Sequence, residues 1–360
     1  MELSADSSPE PSDLQPEADL AGVDLHDRTL TDLDLEGANM KGTDLRGAEL
    51  DGVLLEGADL RGADLHRATL TECLLTGVDL RDANLTEATI TGALLDDVRL
   101  RDARLVACTV EESVLSRAQA QGIEAADSTL RGVLVEDADL ADADFSNADL
   151  RESGFMGAML AQATLREADL RTAVLTDANL AEADFCQAVL SKAVLDGARA
   201  TGAQFQNSFL VSTSARRADF SGCDFSGAKL SVGVFARTTL RGATLEGVVA
   251  EQTIFQHADL REVRIQESEF PLANFVGATL TDAHASDCNF YGADFHWAQT
   301  EDFQTKVCDF DDARRPTDVS ITYDPRPSPP EVDRVPLYRT PATDRERTAI
   351  ARTEPSPSSS

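Results

Sequence analysis

The sequence predicts an all-β solenoid, a coil of short β edges wound around an apolar core. Three observations predict this fold class. A five-residue repeat runs from about Ala18 to Arg315, each repeat carries two apolar positions spaced two residues apart, and phenylalanines recur at every fourth repeat. Self-similarity at a short fixed period is typical of architectures in which each unit contacts only its neighbours.

The repeat reads Ala-Asp-Leu followed by two polar residues or glycine, as in Ala58-Asp59-Leu60-Arg61-Gly62. Its leucine position, which we call the centre, falls on every residue number divisible by five. Of the 59 centres from Leu20 to Phe310, 51 are Leu, Ile, Val, Met or Phe, six are Ala and two are Thr. The residue two positions before the centre is small except at Arg28, Leu33, Ile123 and Phe303.

A period of five fits neither a helix nor a continuous strand, whose periods are 3.6 and 2. The two apolar positions of a block lie two apart and therefore share one face of an extended segment. The remaining positions, polar or glycine, must turn the chain. Each block is thus expected to form a short straight edge followed by a bend, with the apolar positions pointing inward.

The phenylalanines indicate how many edges close one coil. Thirteen of the 15 are centres; seven pairs of these centres lie four repeats apart, five lie three repeats apart and one lies five repeats apart. Four edges per coil would stack the rings in columns inside the solenoid, where aromatic pairs gain about 0.5–1.5 kcal/mol beyond burial. The columns would contain Phe185–Phe205–Phe225, Phe235–Phe255–Phe275–Phe295 and Phe270–Phe290–Phe310.

These residues resemble the pentapeptide-repeat family, whose motif is Ala-(Asp/Asn)-Leu-X-X, and the resemblance covers most of the chain, from Ala18 to Arg315. It implies a right-handed quadrilateral parallel β-helix with four blocks per coil, and hence about 15 coils. At about 4.8 Å per coil the rod would be roughly 70 Å long.

The prolines mark the expected domain boundaries. Twelve of the 13 lie outside the array, and the exception, Pro271, follows a centre and falls on an outward corner. Because proline cannot donate to a β ladder, it suits the ends of such a rod. We expect a disordered acidic segment at 1–17, the β-helix at 18–315 and a disordered Pro/Ser-rich tail at 316–360.

No catalytic, cofactor-binding or metal-binding motif emerges, and we expect a non-enzymatic protein. Five of the six cysteines occupy the small inward position, where packing is the simplest role; Cys186 alone should face outward. The five histidines fall at scattered outward positions without metal-site spacing. We expect no bound cofactor or metal.

One small aromatic group could mark a contact site. Tyr291, His296 and Trp297 fall at outward positions near the last coils. Exposed aromatic residues are common at protein interfaces. Alternatively, Phe303 and the tail cover this group as a C-terminal cap, which is the interpretation that the sequence favours.

The charge is the feature most relevant to function. The chain carries 64 acidic and 32 basic residues, a net charge of −32, and such a surface repels nucleic acid and anionic membranes. By thirds the array carries −12 (18–115), −8 (116–215) and −6 (216–315). Some pentapeptide-repeat proteins, including quinolone-resistance members, resemble DNA and bind DNA gyrase or topoisomerase IV. The resemblance therefore implies a protein partner with a basic DNA-binding groove, provided that the charges line a face.

Two departures count against that partner: the sequence shows no C-terminal helical dimerisation module and no loop inserted between coils. A passive solenoid, acidic for solubility or salt adaptation, is the main alternative, and uniform charge on all faces would favour it. A secretion-system accessory or effector is the third. Without an apolar run or a leader-like N-terminus, a cytoplasmic location is the simplest expectation.

Overall fold

The computed structural model describes residues 13–315, and these residues form a parallel β-solenoid with four edges per coil. Every coil takes four repeats, because each outward residue pairs in parallel with the outward residue four repeats later, as Asp19 does with Asn39. From Asp19 to Gln299 this gives 14 successive bridges, and hence 15 stacked layers. The all-β solenoid and its four-edged coil are confirmed, and no helix long and apolar enough to cross a membrane lies within 13–315.

The four sides of the coil are named by their centres. Faces 1, 2, 3 and 4 begin with Leu20, Leu25, Leu30 and Leu35, and each continues at every fourth repeat. Within a repeat, the outward position precedes the centre and two corner residues follow it.

Within residues 13–315, nine three-residue strands form two parallel sheets. The five-stranded sheet lies on face 3 and the four-stranded sheet on face 2. The first contains β1 (Thr29–Thr31), β2 (Glu49–Asp51), β3 (Thr69–Thr71), β4 (Thr89–Thr91) and β5 (Thr109–Glu111). The second contains β6 (Thr244–Glu246), β7 (Arg264–Gln266), β8 (His284–Ser286) and β9 (Gln304–Lys306).

The core confirms the inward positions. All 59 centres are buried, and all but three of the small positions between Ala18 and Cys308 are buried with them. All seven expected phenylalanine pairs stack, with centroids 4.7–5.6 Å apart. Pairs three repeats apart, such as Phe205 and Phe220 at 5.7 Å and 80°, meet edge to face instead.

The repeat 43–47 shows how one block satisfies its five backbone N–H groups. The N–H of Asp44 donates to a carbonyl of the previous coil, whereas the N–H groups of Leu45 and Gly47 donate to carbonyls of the next coil. The N–H of Thr43 donates to the Met40 carbonyl and closes the preceding corner. The fifth N–H, of Arg46, is capped by Asp44 Oδ1 at 3.1 Å. The Asp/Asn preference of the outward position therefore has a structural cause, because a short acceptor side chain satisfies the one remaining donor.

The second corner residue explains why the chain turns so regularly. At all 60 such positions from Glu17 to Asp312 the backbone φ is positive, between 49° and 72°. Twenty of the 60 are glycine, which adopts this conformation without strain. Asp, Asn and Glu occupy many of the others, so part of the chain's acidity lies at corners rather than in a binding surface.

We predict that the cap can be measured at Asn179, whose Oδ1 accepts the N–H of Ala181 at 3.3 Å. Asn179→Ala should lower the free energy of unfolding by about 1 kcal/mol, the usual effect of removing a capping side chain. Asn179→Asp keeps the acceptor and should stay close to the parent chain. Urea unfolding of the three proteins tests this; equal stability of the Ala and Asp variants would contradict the capping role.

Candidate functional site: an unpaired acidic face

The acidic residues are distributed unevenly around the N-terminal coils. Over the whole array the four faces carry net charges of −6, −8, −8 and −4, which is nearly even. Within residues 18–115, however, faces 3 and 4 hold 11 acids and one base, whereas faces 1 and 2 hold 10 acids and eight bases. The charge of these first five coils therefore lies mainly on one side of the rod.

On faces 1 and 2 many carboxylates are neutralised by neighbouring arginines. Arg61 and Arg81 bond the aspartates two positions before them, with N–O distances of 2.8 and 2.7 Å. Asp79 is only 7% exposed, and its hydrogen bonds to Arg81 hold its pKa below the usual value. These acids stabilise corners and are poorly available to a partner.

Face 3 is different: Glu49, Asp51 and Glu111 lie on strands β2 and β5 of its sheet, and three further acids stand at the corners that follow β1, β3 and β5. Six acids occur there among threonines, and none forms an ion pair within residues 13–315. Glu49 only accepts a 3.2 Å hydrogen bond from the Thr29 hydroxyl. We call this set the acidic face; it contains Asp32, Glu49, Asp51, Glu72, Glu111 and Glu112.

The acidic face belongs to the most highly charged part of the rod. Residues 18–115 carry −12 over five coils, and five coils span about 24 Å at the spacing of parallel strands. Duplex DNA of that length carries about 14 charges. The N-terminal coils thus approach the charge density of DNA, which the rod as a whole does not.

The aromatic group predicted from the sequence is only partly brought together. His296 and Trp297 contact each other, with ring centroids 4.2 Å apart, and Trp297 is 72% exposed. Tyr291 is 41% exposed but lies at the preceding corner, on the other side of face 4. Phe303 is buried at an inward position, so it does not cover Trp297; the tail at 316–360 lies outside the described residues. A contact site here stays a prediction.

The cysteines lie as predicted. Five are buried, and burial raises the pKa of the Cys108 and Cys223 thiols to about 12. Cys288 and Cys308 form no disulfide, and their mutual hydrogen bond raises the pKa of Cys288. Cys186 is partly exposed, yet partial burial and hydrogen bonding to Asp184 raise its pKa to about 11.

One cluster that could hold a cation was not anticipated. Ligand atoms of Asp24, His26 and Asp44 lie within 4.8 Å of one another, on face 2 of the first two coils. Asp24 and His26 are exposed and Asp44 is partly buried, and the hydrogen bond to Asp24 raises the pKa of His26. The cluster is an exposed ion pair beside a second carboxylate, an arrangement that an acidic surface produces without any ligand.

Sequence reasoning missed the acidic face because charge was counted along the chain rather than around it. The signal is a period of four repeats, since every fourth repeat belongs to the same face. Reading the repeats in that order separates the unpaired acids of face 3 from the paired acids of faces 1 and 2.

The repeat model of one family matches the chain. The pentapeptide-repeat model matches in several copies that together span 18–57, 63–102, 125–231 and 234–299, more than two thirds of the chain. The chain belongs to the pentapeptide-repeat family. No curated protein matches it as a relative.

Solved structures of other pentapeptide-repeat proteins are similar at low identity. HetL, described as involved in heterocyst differentiation regulation in the cyanobacterium Nostoc, is 23% identical over 60% of this chain and 88% of its own, with a TM-score of 0.26. QnrB1, a plasmid-mediated fluoroquinolone resistance protein, is 20% identical over 51% and 84%, with a TM-score of 0.33. Rfr23 from Cyanothece is 19% identical over 42% and 89%, with a TM-score of 0.14.

We predict that native thiol labelling will be slow and selective for this pentapeptide-repeat protein. At pH 8 a maleimide or disulfide reagent should modify Cys186 only, about 100-fold more slowly than an unperturbed cysteine, because the thiolate is the reactive form. The other five should react only after unfolding. Mass spectrometry of labelled peptides tests this, and rapid native labelling of Cys73 or Cys223 would contradict the inward packing.

Proposed function

We propose that this pentapeptide-repeat protein is a non-enzymatic interaction scaffold. Its acidic face would occupy the basic DNA-binding groove of a protein partner, of which a type II topoisomerase such as DNA gyrase is the leading example. The observation that carries the proposal is the set of six carboxylates on face 3, three on strands and three at corners, with which no basic side chain within 13–315 forms an ion pair. The family resemblance supports it, because some members imitate DNA towards DNA gyrase.

The geometry suits a groove that normally binds a phosphate backbone. Adjacent coils repeat at about 4.8 Å, so the ladder holds the carboxylates of different coils at multiples of this spacing along the rod axis. Glu49, Asp51 and Glu111 are exposed and held by strand backbone rather than by loops. Preformed charge on a rigid surface binds a complementary groove with little loss of conformational freedom.

A passive, well-solvated solenoid remains the second candidate function, and a specific observation favours it. Over all 15 layers the charge is nearly even among the faces, and many acids serve as caps, corner residues or ion-pair partners. In that case the acidic face would add solubility and would bind no basic groove.

We predict that the full-length chain inhibits DNA supercoiling by gyrase at micromolar concentration. Glu49→Lys, Asp51→Lys and Glu111→Lys together should raise the half-inhibitory concentration at least tenfold, because the reversed charges repel a basic groove. Added salt should weaken the inhibition by the parent chain, since the attraction is electrostatic.

The matched control is the triple variant Glu246→Lys, Glu269→Lys and Glu301→Lys. It changes the net charge equally and lies in the C-terminal coils, away from the acidic face. Its inhibition should stay within about twofold of the parent. Absence of inhibition by the parent chain would contradict the topoisomerase assignment. An equal loss of inhibition in both triple variants would show that inhibition depends on total charge and not on a defined face.

A further inference from the structure

Face 4 carries an apolar column on its outside, at the position where other faces usually place Asp, Asn or Thr. Through 11 consecutive layers this position holds no charged residue, and nine of the 11 side chains are aliphatic. Leu94 and Leu134 are 43% and 44% exposed. We call this the face-4 column; it consists of Leu54, Leu74, Leu94, Val114, Leu134, Gly154, Val174, Val194, Ser214, Val234 and Ile254.

The column is not explained by the needs of the coil itself. An aliphatic side chain cannot cap the N–H of the first corner residue, so the repeats of Leu74 and Leu94 lack the bond that Asp44 makes in its own repeat. Beside the column, Val232 is 53% exposed although its backbone is left-handed, at φ 60°. A β-branched residue is strained in that conformation. The missing caps and the strained valine lower the local stability of this face, and the face nevertheless keeps its apolar surface.

The charges beside the column change sign along the rod. We count the charges on face 4 together with the corner residues before and after it. In the layers of Leu55, Leu75 and Leu95 these positions carry five acids and no base: Asp51, Glu56, Glu72, Asp96 and Asp97. Next to the layers of Ala215, Phe235 and Phe255 they carry one acid and three bases: Glu251, Arg216, Arg217 and Arg237. A basic stretch of this kind is unusual on a chain of net charge −32.

We propose that face 4 binds face 4 of a second copy of this chain, with the two rods antiparallel. An antiparallel two-fold axis through the layer of Phe155 brings the layer of Leu95 against the layer of Ala215. Asp96 and Asp97 then face the second copy's Arg216 and Arg217, and the same contact occurs twice because the interface is isologous. In a parallel arrangement the acidic layers of one copy would instead face the acidic layers of the other.

The next layers towards the axis from Leu95 and Ala215 also fit it. Arg117 already bonds Asp97 at 2.9 Å, and Arg216 lies 3.6 Å from Asp196. The axis brings the layer of Arg117 against that of Asp196, so these pairs merge into one alternating network. At the centre stands Gly154, over which the Leu134 side chain leans: a Cβ at Gly154 would lie 3.2 Å from Leu134 Cδ2. The column therefore stays continuous where the two copies cross.

The area is sufficient for a specific dimer. Ten steps of about 4.8 Å make the column about 48 Å long. With a contact width of about 12–15 Å, each copy would bury roughly 600–700 Å², or about 1,200–1,400 Å² in total, which is the lower part of the range for specific protein–protein interfaces. This proposal is independent of the proposed function, because self-association requires no topoisomerase and most of face 3 remains outside the contact.

Analytical ultracentrifugation of the full chain tests the proposal. One chain has a mass of 38.6 kDa, and we expect the dimer to predominate at micromolar concentration. Leu94→Glu with Val234→Glu should raise the dimer dissociation constant at least tenfold. Met159→Glu with Thr239→Glu places the same charges at the outward position of face 1 and should leave that constant unchanged. A monomeric parent chain up to about 100 μM would overturn the proposal.

Charge exchange tests the antiparallel register. Arg216→Glu with Arg217→Glu should weaken the dimer, as should Asp96→Arg with Asp97→Arg, whereas the chain carrying all four changes should regain most of the parent affinity. Circular dichroism of each variant verifies the fold. Failure of the fourfold variant to recover in a correctly folded chain would overturn this register. A dimer unaffected by the face-4 changes would overturn the interface.

Discussion

The four-repeat register is the constraint on which the other features depend. Parallel backbone bonds tie every coil to the coils above and below, so each residue lies over its counterpart four repeats later. No block is inserted or lost between Asp19 and Arg314, because a single extra residue would turn inward side chains outward. Because of this register, equivalent residues of every fourth repeat stack on one another. They form columns both in the core and on the surface.

Inside the rod, this constraint made prediction possible. Centres, small positions and cysteines have one inward environment, so a simple apolar pattern located them, and the ring size of phenylalanine revealed the coil length. Phe185, Phe205 and Phe225 stack as expected because large rings in one layer favour rings in the next. The capping role of residues such as Asp44 was not predicted, because it depends on which backbone N–H group has no hydrogen-bond acceptor in the neighbouring coils.

Outside the rod, the sequence was less informative because each face mixes structural and available residues. Asp79 and Asp51 are both aspartates, but Asp79 is buried against Arg81 whereas Asp51 has no ion-pair partner among residues 13–315. The difference lies in the place of each acid within its repeat: Asp79 holds the outward position two residues before Arg81, whereas Asp51 is the first corner residue. Leu94 depends on the register instead: read along the chain it belongs to a Leu-Leu pair, and only the four-repeat register reveals the partly exposed column.

Pulsed electron paramagnetic resonance on spin labels at Thr29→Cys and Thr109→Cys, in a Cys186→Ser background, tests the register most directly. Both positions are outward on face 3, four coils apart along the ladder. The four-repeat register predicts a backbone separation of about 19 Å, and an increase of about 5 Å when one complete coil of four repeats is inserted between them. A separation well above about 30 Å, which four steps of the strand spacing cannot give, or one that does not respond to the inserted coil, would contradict it.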